Sequence, residues 1–352
     1  MERRKAQGTR GSFSLAACAL SLSLSAVAVA VPQQPESQKQ VSLELAELYD
    51  SDHEDQDQWE KYSDEEFGAR QLARRNRALE IVRAGMLGAL EDFYRAGWLL
   101  QHGVDSDDFL LAHVLTSVAA FEDVVLARFG SAATLDRFLM ESGRAQLFGT
   151  QFEGDGRQGV PTEPYDDSLP DSLRELFRCE SVKREQAAEA SPKKPKKSAA
   201  KELAKLLAAA RRAPKRGDAP AEAGGAQAAP GEAGERVAAI ERAKEIALSG
   251  ELESKEEYFT AASILAAGEG EGDLLLAHIF ALASAFRGHD DGRALAADTL
   301  DRMLCAMKRA PIMGTKSDKA GDAVVTGSDM CVHEAVRAAY GLRAAKARKS
   351  KD

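Results

Sequence analysis

Five polar residues in the first half of the chain have types and spacing suited to binding a polar ligand. Gln146, Thr150 and Gln151 lie in a glycine-containing stretch without helical periodicity, and such a loop presents amide and hydroxyl groups together. His102 and Arg137 precede this stretch on helical segments and complete the candidate ligand-binding set. The alternative is that these side chains bond backbone groups and serve only to order the loop.

Other polar residues keep their identity at matching positions in both halves of the chain, which favours a structural role. Asp136 is next to Arg137 on a helix and cannot face it, so we expect Asp136 to form a cap or a buried ion pair. His113 lies beside apolar positions, which favours a core histidine bonded to a carbonyl or a carboxylate. The residues predicted to be structural are His113, Asp136, His278, Asp301 and Arg302.

The chain carries no recognisable pattern for catalysis, metal binding or cofactor binding. No nucleophile lies beside a base, and the cysteines and histidines lack the spacing of a zinc site. We therefore predict no catalytic residue, no metal and no cofactor. An enzyme is the less favoured alternative, with His102 as a base oriented by Asp136, and with Arg137 and Gln151 in the same polar site.

An internal repeat relates the two halves of the chain without gaps. Leu110–His113 matches Leu275–His278, and Thr134–Arg137 matches Thr299–Arg302, always with an offset of 165 residues. The second copy is degenerate, because Ala267 replaces His102, Pro311 replaces Gln146 and Lys316 replaces Gln151. If a site exists, the first copy is therefore the better candidate to hold it.

The elements that position these residues are predicted to be helices. Glycines and N-terminal acids delimit segments at about Leu90–Gln101, Ser106–Phe121, Leu126–Glu141 and Asp171–Phe177, with counterparts in the second copy. The composition, rich in Ala and Leu with only 6% aromatic residues, also favours helices. We expect an all-α protein with two tandem antiparallel helical modules joined by a disordered linker.

A series of short motifs in the first copy resembles an uncharacterised bacterial family, a domain of unknown function. The motifs, in chain order, are Gln101-His102-Gly103, Leu110–His113, Thr134–Arg137, Gly143–Gln146, Phe148–Gln151 and Glu163–Asp166. The resemblance covers about Leu48–Phe177, and the second copy more weakly. It implies no activity, because the family has none assigned.

The N-terminal thirty residues are typical of an export signal, with a basic start, an apolar stretch and a small-residue cleavage site at Ala28–Ala30. We predict a periplasmic or extracellular protein. The alternatives are an uncleaved membrane anchor at residues 13–31 and lipidation at Cys18. In an oxidising compartment Cys305 and Cys331 could pair, although their spacing does not require it.

Composition sets the remaining boundaries. The predicted segments are a signal peptide (1–30), an acidic arm (31–70), the first module (71–180), a basic low-complexity linker (181–235), the second module (236–343) and a basic tail (344–352). Within the linker, Ala199–Arg212 is expected to form a transient amphipathic helix. The acidic arm and the linker either attract each other or are solvated independently. A net charge of −9 argues against nucleic acid as a partner.

The sequence thus predicts an exported, non-enzymatic helical module that binds or scaffolds a partner protein or a polar small molecule. An enzyme with a polar site in the first copy is one alternative. A structural component of the cell envelope is another.

Overall fold

The structure is a computed structural model that describes residues 36–152, 160–179, 199–212, 230–315 and 332–342. Within these ranges the chain forms twelve α-helices and no sheet, so the all-α prediction is confirmed. In the same ranges no helix has both the length and the apolar character needed to span a bilayer. The predicted signal, the alternative anchor at 13–31, Cys18, Cys331 and the tail lie outside the described residues.

Six helices form the first half of the described chain. They are α1 (Glu36–Asp57), α2 (Asp64–Arg83), α3 (Leu90–Leu100), α4 (Ser106–Phe121), α5 (Ala127–Glu141) and α6 (Asp171–Leu176), with a 3-10 turn at Trp59–Lys61 between α1 and α2. The predicted helices agree with α3 to α6 to within one residue. Side-chain caps define two starts: Ser63 and Glu66 form a capping box on α2, and Asp105 accepts from the first amides of α4.

Six further helices form the second half. They are α7 (Ala199–Arg212), α8 (Pro230–Leu248), α9 (Lys255–Leu265), α10 (Glu271–Phe286), α11 (Asp290–Ala306) and α12 (Glu334–Ala339). Both ends of α9 and of α10 lie 165 residues after those of α3 and α4. The regular structure therefore follows the same register as the sequence motifs.

The core is built around α4 and α10, which are apolar on nearly all sides. Helix α4 packs between α3 and α5, helix α10 packs between α9 and α11, and α4 and α10 also contact each other. A helix buried on every side has few places for polar side chains. Each polar residue on α4 or α10 therefore needs a partner inside the core.

The acidic arm is a correction to the sequence prediction, because most of residues 31–70 belong to packed helices. Helix α1 packs on α2 and α3 through Val41 and Leu45, which are buried. Some of its acids pair with α2, since Asp55 pairs with Arg74 and Glu44 receives a bond of 2.9 Å from the Arg77 guanidinium, whereas others, such as Asp50 and Glu54, are exposed. The first folded unit therefore begins in α1 and not at residue 71, since the arginines of α2 match the acids of α1.

Part of the predicted linker is folded, at the stretch where the sequence also predicts an amphipathic helix. Ala199–Arg212 forms α7, which packs on α8 and α9, and its Leu203 is fully buried. Leu206 and Ala210 lie on the same side at helical spacing and contact the core. Helix α8 begins at Pro230, before the predicted boundary at 236. The remaining residues of the linker range, 181–198 and 213–229, lie outside the described residues.

Candidate functional site

The carboxylate of Asp136 holds the loop that follows α5. Its Oδ1 accepts from the backbone amides of Leu147 (2.8 Å) and Phe148 (3.0 Å), and its Oδ2 accepts from the amide (3.0 Å) and hydroxyl (2.8 Å) of Thr150. Burial raises the pKa of Asp136, and these four hydrogen bonds oppose that rise by stabilising the charged form. Asp136 is thus the cap of this loop.

Asp301 repeats this arrangement after α11. Its carboxylate accepts from the amides of Ile312 and Met313 and from the amide and hydroxyl of Thr315, all at 2.8 Å. Gly314 turns the loop with a φ of 62°, as Gly149 does with 67° in the first half. The two loops therefore have one geometry, although their sequences have diverged.

Two of the predicted ligand-binding residues, Gln146 and Thr150, use their polar side-chain atoms for hydrogen bonds that hold the loop. The Gln146 side chain donates to the carbonyls of Gln151 (2.9 Å) and Thr162 (2.6 Å) and accepts from the amide of Gln151 (3.0 Å). Thr150 donates its hydroxyl to Asp136. We therefore assign both residues to the scaffold, which is the role that the sequence analysis gave as the alternative.

Arg137 and Gln151 do come together, at the edge of this loop. The Nε of Arg137 donates to Oε1 of Gln151 at 3.0 Å, and its Nη1 donates to the carbonyl of Gln101 at 2.7 Å. Two of the five N–H groups of the guanidinium are thereby used, and the others have no hydrogen-bond partner among the described residues. Burial lowers the pKa of Arg137, and no carboxylate of the described residues offsets that effect.

Its counterpart Arg302 has different contacts. Arg302 donates to the carbonyl of Gly268 at 2.9 Å, and its Nη1 lies 3.5 Å from Oδ2 of Asp298, one helical turn earlier. The position equivalent to Asp298 in the first half is Ala133, which is buried and carries no charge. The same guanidinium is therefore paired in the second half and lacks a carboxylate, among the described residues, in the first half.

His102 lies in a separate polar cluster and not with Asp136. Its Nε2 is 3.2 Å from Oδ2 of Asp52 on α1, and its Nδ1 is 3.3 Å from the Gln71 amide nitrogen on α2. The indole of Trp98 donates to the same Asp52 oxygen at 3.0 Å. The predicted pairing of His102 with Asp136 is wrong, because the loop amides already occupy the Asp136 carboxylate.

This cluster fixes the C-terminal part of α1. Burial by itself would raise the pKa of Asp52, but the bonds from His102 and Trp98, with the charge of Arg74, lower it below its ordinary value. Arg74 is buried, pairs with Asp55 and donates to the carbonyl of Ser51 at 3.0 Å. Because Gln71 covers the second nitrogen of His102, the cluster has the form of a structural clamp.

The halves meet through a histidine pair. His113 on α4 and His278 on α10 are both fully buried, and their Nε2 atoms lie 2.9 Å apart. Each donates its Nδ1–H to a backbone carbonyl at 2.8 Å, Ser131 for His113 and Ala296 for His278. A carbonyl is one of the two partners expected for His113, and the bond between the two histidines was not foreseen.

The contacts around this pair are reciprocal between the halves. Arg128 lies over the ring of Phe286 and donates to its carbonyl at 2.9 Å, and Arg293 lies over the ring of Phe121 and contacts its carbonyl at 3.4 Å. The rings of Phe121 and Phe286 also contact each other, with centroids 5.8 Å apart. Matched residues thus exchange partners, as in a twofold interface.

A second reciprocal contact lies at the N-termini of α4 and α10. Arg144 pairs with Glu271, and Arg309 bonds Ser106 at 2.7 Å and pairs with Asp107. Sequence reasoning missed these arginines. The signal that could have found them is their register, since Arg128 and Arg293, like Arg144 and Arg309, obey the offset of the repeat.

Comparison with family models, with curated proteins and with solved structures gives no match for this chain. The family resemblance carried by the first copy stays a prediction. Function must accordingly be inferred from the side chains themselves.

Proposed function

We propose that the protein is a non-enzymatic helical binding module whose first half receives an anionic group, a carboxylate or a phosphate, at Arg137. The observation that carries the proposal is the contrast between the two halves. Arg302 has a carboxylate of Asp298 within 3.5 Å, whereas Arg137 has none among the described residues. An incoming anion would take the place that Asp298 fills in the second half.

The contacts of Arg137 support this role. Gln101 and Gln151 hold two edges of the guanidinium, so its orientation is fixed before a ligand arrives. The remaining N–H groups can form the paired, charge-assisted bonds that arginine makes with carboxylates and phosphates. Partial burial strengthens such a bond by reducing the competition from water.

The candidate residues contribute unequally to the proposed site. Arg137 binds the anion, Gln151 orients Arg137, and Asp136, Gln146 and Thr150 hold the loop that carries Gln151. His102 belongs to the clamp on α1. The anion would be a side chain or terminus of a partner protein, or a polar small molecule, and we retain export as part of the proposal.

A titration of the arginine side chains tests the proposal. In the full chain labelled with ¹⁵N, the Nε–H signal of Arg137 is assigned with Arg137→Lys and followed as inorganic phosphate or acetate is added at constant ionic strength. We expect a saturable shift for Arg137 and none for Arg302, which is the internal control. Equal, non-saturating shifts of both signals would refute an anion site.

A further inference from the structure

The hydrogen bonds of the histidine pair require a proton count. A backbone carbonyl only accepts, so each Nδ1 that lies 2.8 Å from a carbonyl oxygen must carry a hydrogen. In a neutral imidazole the other nitrogen then has a lone pair and no hydrogen. His113 and His278 would thus point two lone pairs at each other across 2.9 Å.

One additional proton removes this conflict. We propose that His113 and His278 together form a binding site for a single proton, shared between their Nε2 atoms, and that this proton joins the two halves of the protein. The site exists only when α4 and α10 are in contact, because each half contributes one acceptor. It is separate from Arg137 and independent of the proposed anion site.

Among the described residues, no other charged group contacts the pair. From α5 the pair meets the carbonyl and hydroxyl of Ser131, and from α11 it meets the carbonyl of Ala296. On α12 the Tyr340 hydroxyl bonds the carbonyl of Val114. On α5 the carboxylate nearest in sequence to Ser131 is Asp136, which is occupied by its loop. On α11 Asp298 lies beside Arg302, and Asp301 is occupied by its loop.

The remaining elements that pack on α4 and α10 do not change this result. The charged groups buried on these elements bond backbone groups: Asp92 on α3 accepts from the amide of Ala89, Arg174 on α6 donates to the carbonyl of Leu169, and Arg337 on α12 donates to the carbonyl of Met313. Tyr258 on α9 lies under the guanidinium of Arg287. For the described residues, His113 is the one charged group that affects the pKa of His278, and no charged group affects that of His113.

Burial decides how many protons the pair holds. It lowers the pKa of His113 to about 4, and burial with the charge of His113 lowers that of His278 to about 3. Burial opposes any proton on the pair, and the charge of His113 opposes a second one on His278. For the first proton, the hydrogen bond between two facing acceptors acts against burial.

The shared proton predicts how the stability of the fold changes with pH. In the unfolded chain each of the two histidines binds one proton with a pKa of about 6.5. Above that pH the two unfolded histidines together hold less than one proton, whereas the native pair holds one. The folding equilibrium constant should therefore fall by up to about tenfold for each unit that the pH rises. Below that pH the two unfolded histidines together hold more than one proton, so stability should also fall as the pH is lowered. A pair that is neutral when folded would instead give a plateau above about pH 7.5.

The experiment compares unfolding by urea from pH 5 to 9 for the full wild-type chain and for His278→Gln. The amide introduced by this substitution could donate to His113 without an extra proton, so the difference between the two proteins isolates the pair. We expect the wild type to lose stability above pH 6.5 relative to the variant. A constant difference between pH 7.5 and 9 would overturn the proposal.

A second measurement needs no substitution and decides the question if His278→Gln does not fold. In wild-type protein labelled with ¹⁵N at histidine, NMR reports which ring nitrogens carry hydrogen. We expect both Nδ1 atoms protonated and one proton coupled to both Nε2 atoms. An unprotonated Nδ1 on His113, accepting from the Ser131 hydroxyl at 3.5 Å, would show a neutral pair and refute the shared proton.

Discussion

Replacement of Asp136 by alanine tests whether one carboxylate holds the loop after α5. The substitution removes the acceptor of four hydrogen bonds, two of which come from the buried residues Leu147 and Phe148. A buried donor left without a partner costs about 1–3 kcal/mol. The two buried amides alone therefore predict a loss of roughly 2–6 kcal/mol, a large part of the stability of a typical domain. The half-buried groups of Thr150 can find water.

The assay is equilibrium unfolding in guanidinium chloride, with the slope of the transition compared between proteins to verify two-state behaviour. Asp301→Ala is the matched control, because its carboxylate accepts the same four bonds. We expect similar losses for both variants. Asp136→Asn should lose less, since it keeps one oxygen for Leu147 and Phe148. A loss below about 1 kcal/mol for Asp136→Ala would refute the assignment of this residue as the loop cap.

Two further predictions concern the contacts between helices. Arg128→Ala and Arg293→Ala should each lower the free energy of unfolding by about 1–2 kcal/mol, because each removes one bond to a carbonyl and one cation–π contact across the halves. Urea denaturation checks this, and a loss confined to one of them would contradict a reciprocal interface. The pKa of Asp52 is lowered in the folded state, so its contribution to stability is present above the unfolded value near pH 3.9 and is lost as the pH falls through the folded value. His102→Gln should weaken that dependence in acid unfolding curves, and identical curves would show that His102 does not stabilise the charged Asp52.

Local signals predicted much of the regular structure. The segments α3 to α6 have glycines or acids at their ends, and these residues act through the backbone of their own helix. Helix α7 was also predicted, from its amphipathic pattern, and Glu202 lies in its first turn, whereas α1 lies in a segment that was interpreted as an acidic arm. Both helices are stabilised by packing and by arginines from distant positions, as for Asp55 with Arg74 and Glu202 with Arg242.

The candidate site was predictable in part. Arg137 and Gln151 were selected because polar residues stood in and beside a loop, and the structure joins them at 3.0 Å. The partner of His102 was not predictable, because it comes from α1, whose position depends on tertiary packing. The repeat register shows that Ala133 and Asp298 occupy equivalent positions. Only the structure shows that Asp298 pairs with Arg302, which is why the difference matters for Arg137.

The central claim is that Arg137 binds an anion because, among the described residues, it lacks a carboxylate like the one that Arg302 has. Ala133→Asp places an acid one turn before Arg137, as Asp298 stands before Arg302. Ala133→Asn is the matched control, with the same size and no charge, and unfolding curves verify that both variants fold.

The measurement is the saturable shift of the Arg137 Nε–H signal on addition of inorganic phosphate. The account predicts that Ala133→Asp abolishes the shift, that Ala133→Asn retains it, and that Asp298→Ala creates one at Arg302. An undiminished shift in Ala133→Asp, or its loss in both variants at position 133, would contradict the claim that an unpaired guanidinium forms the site.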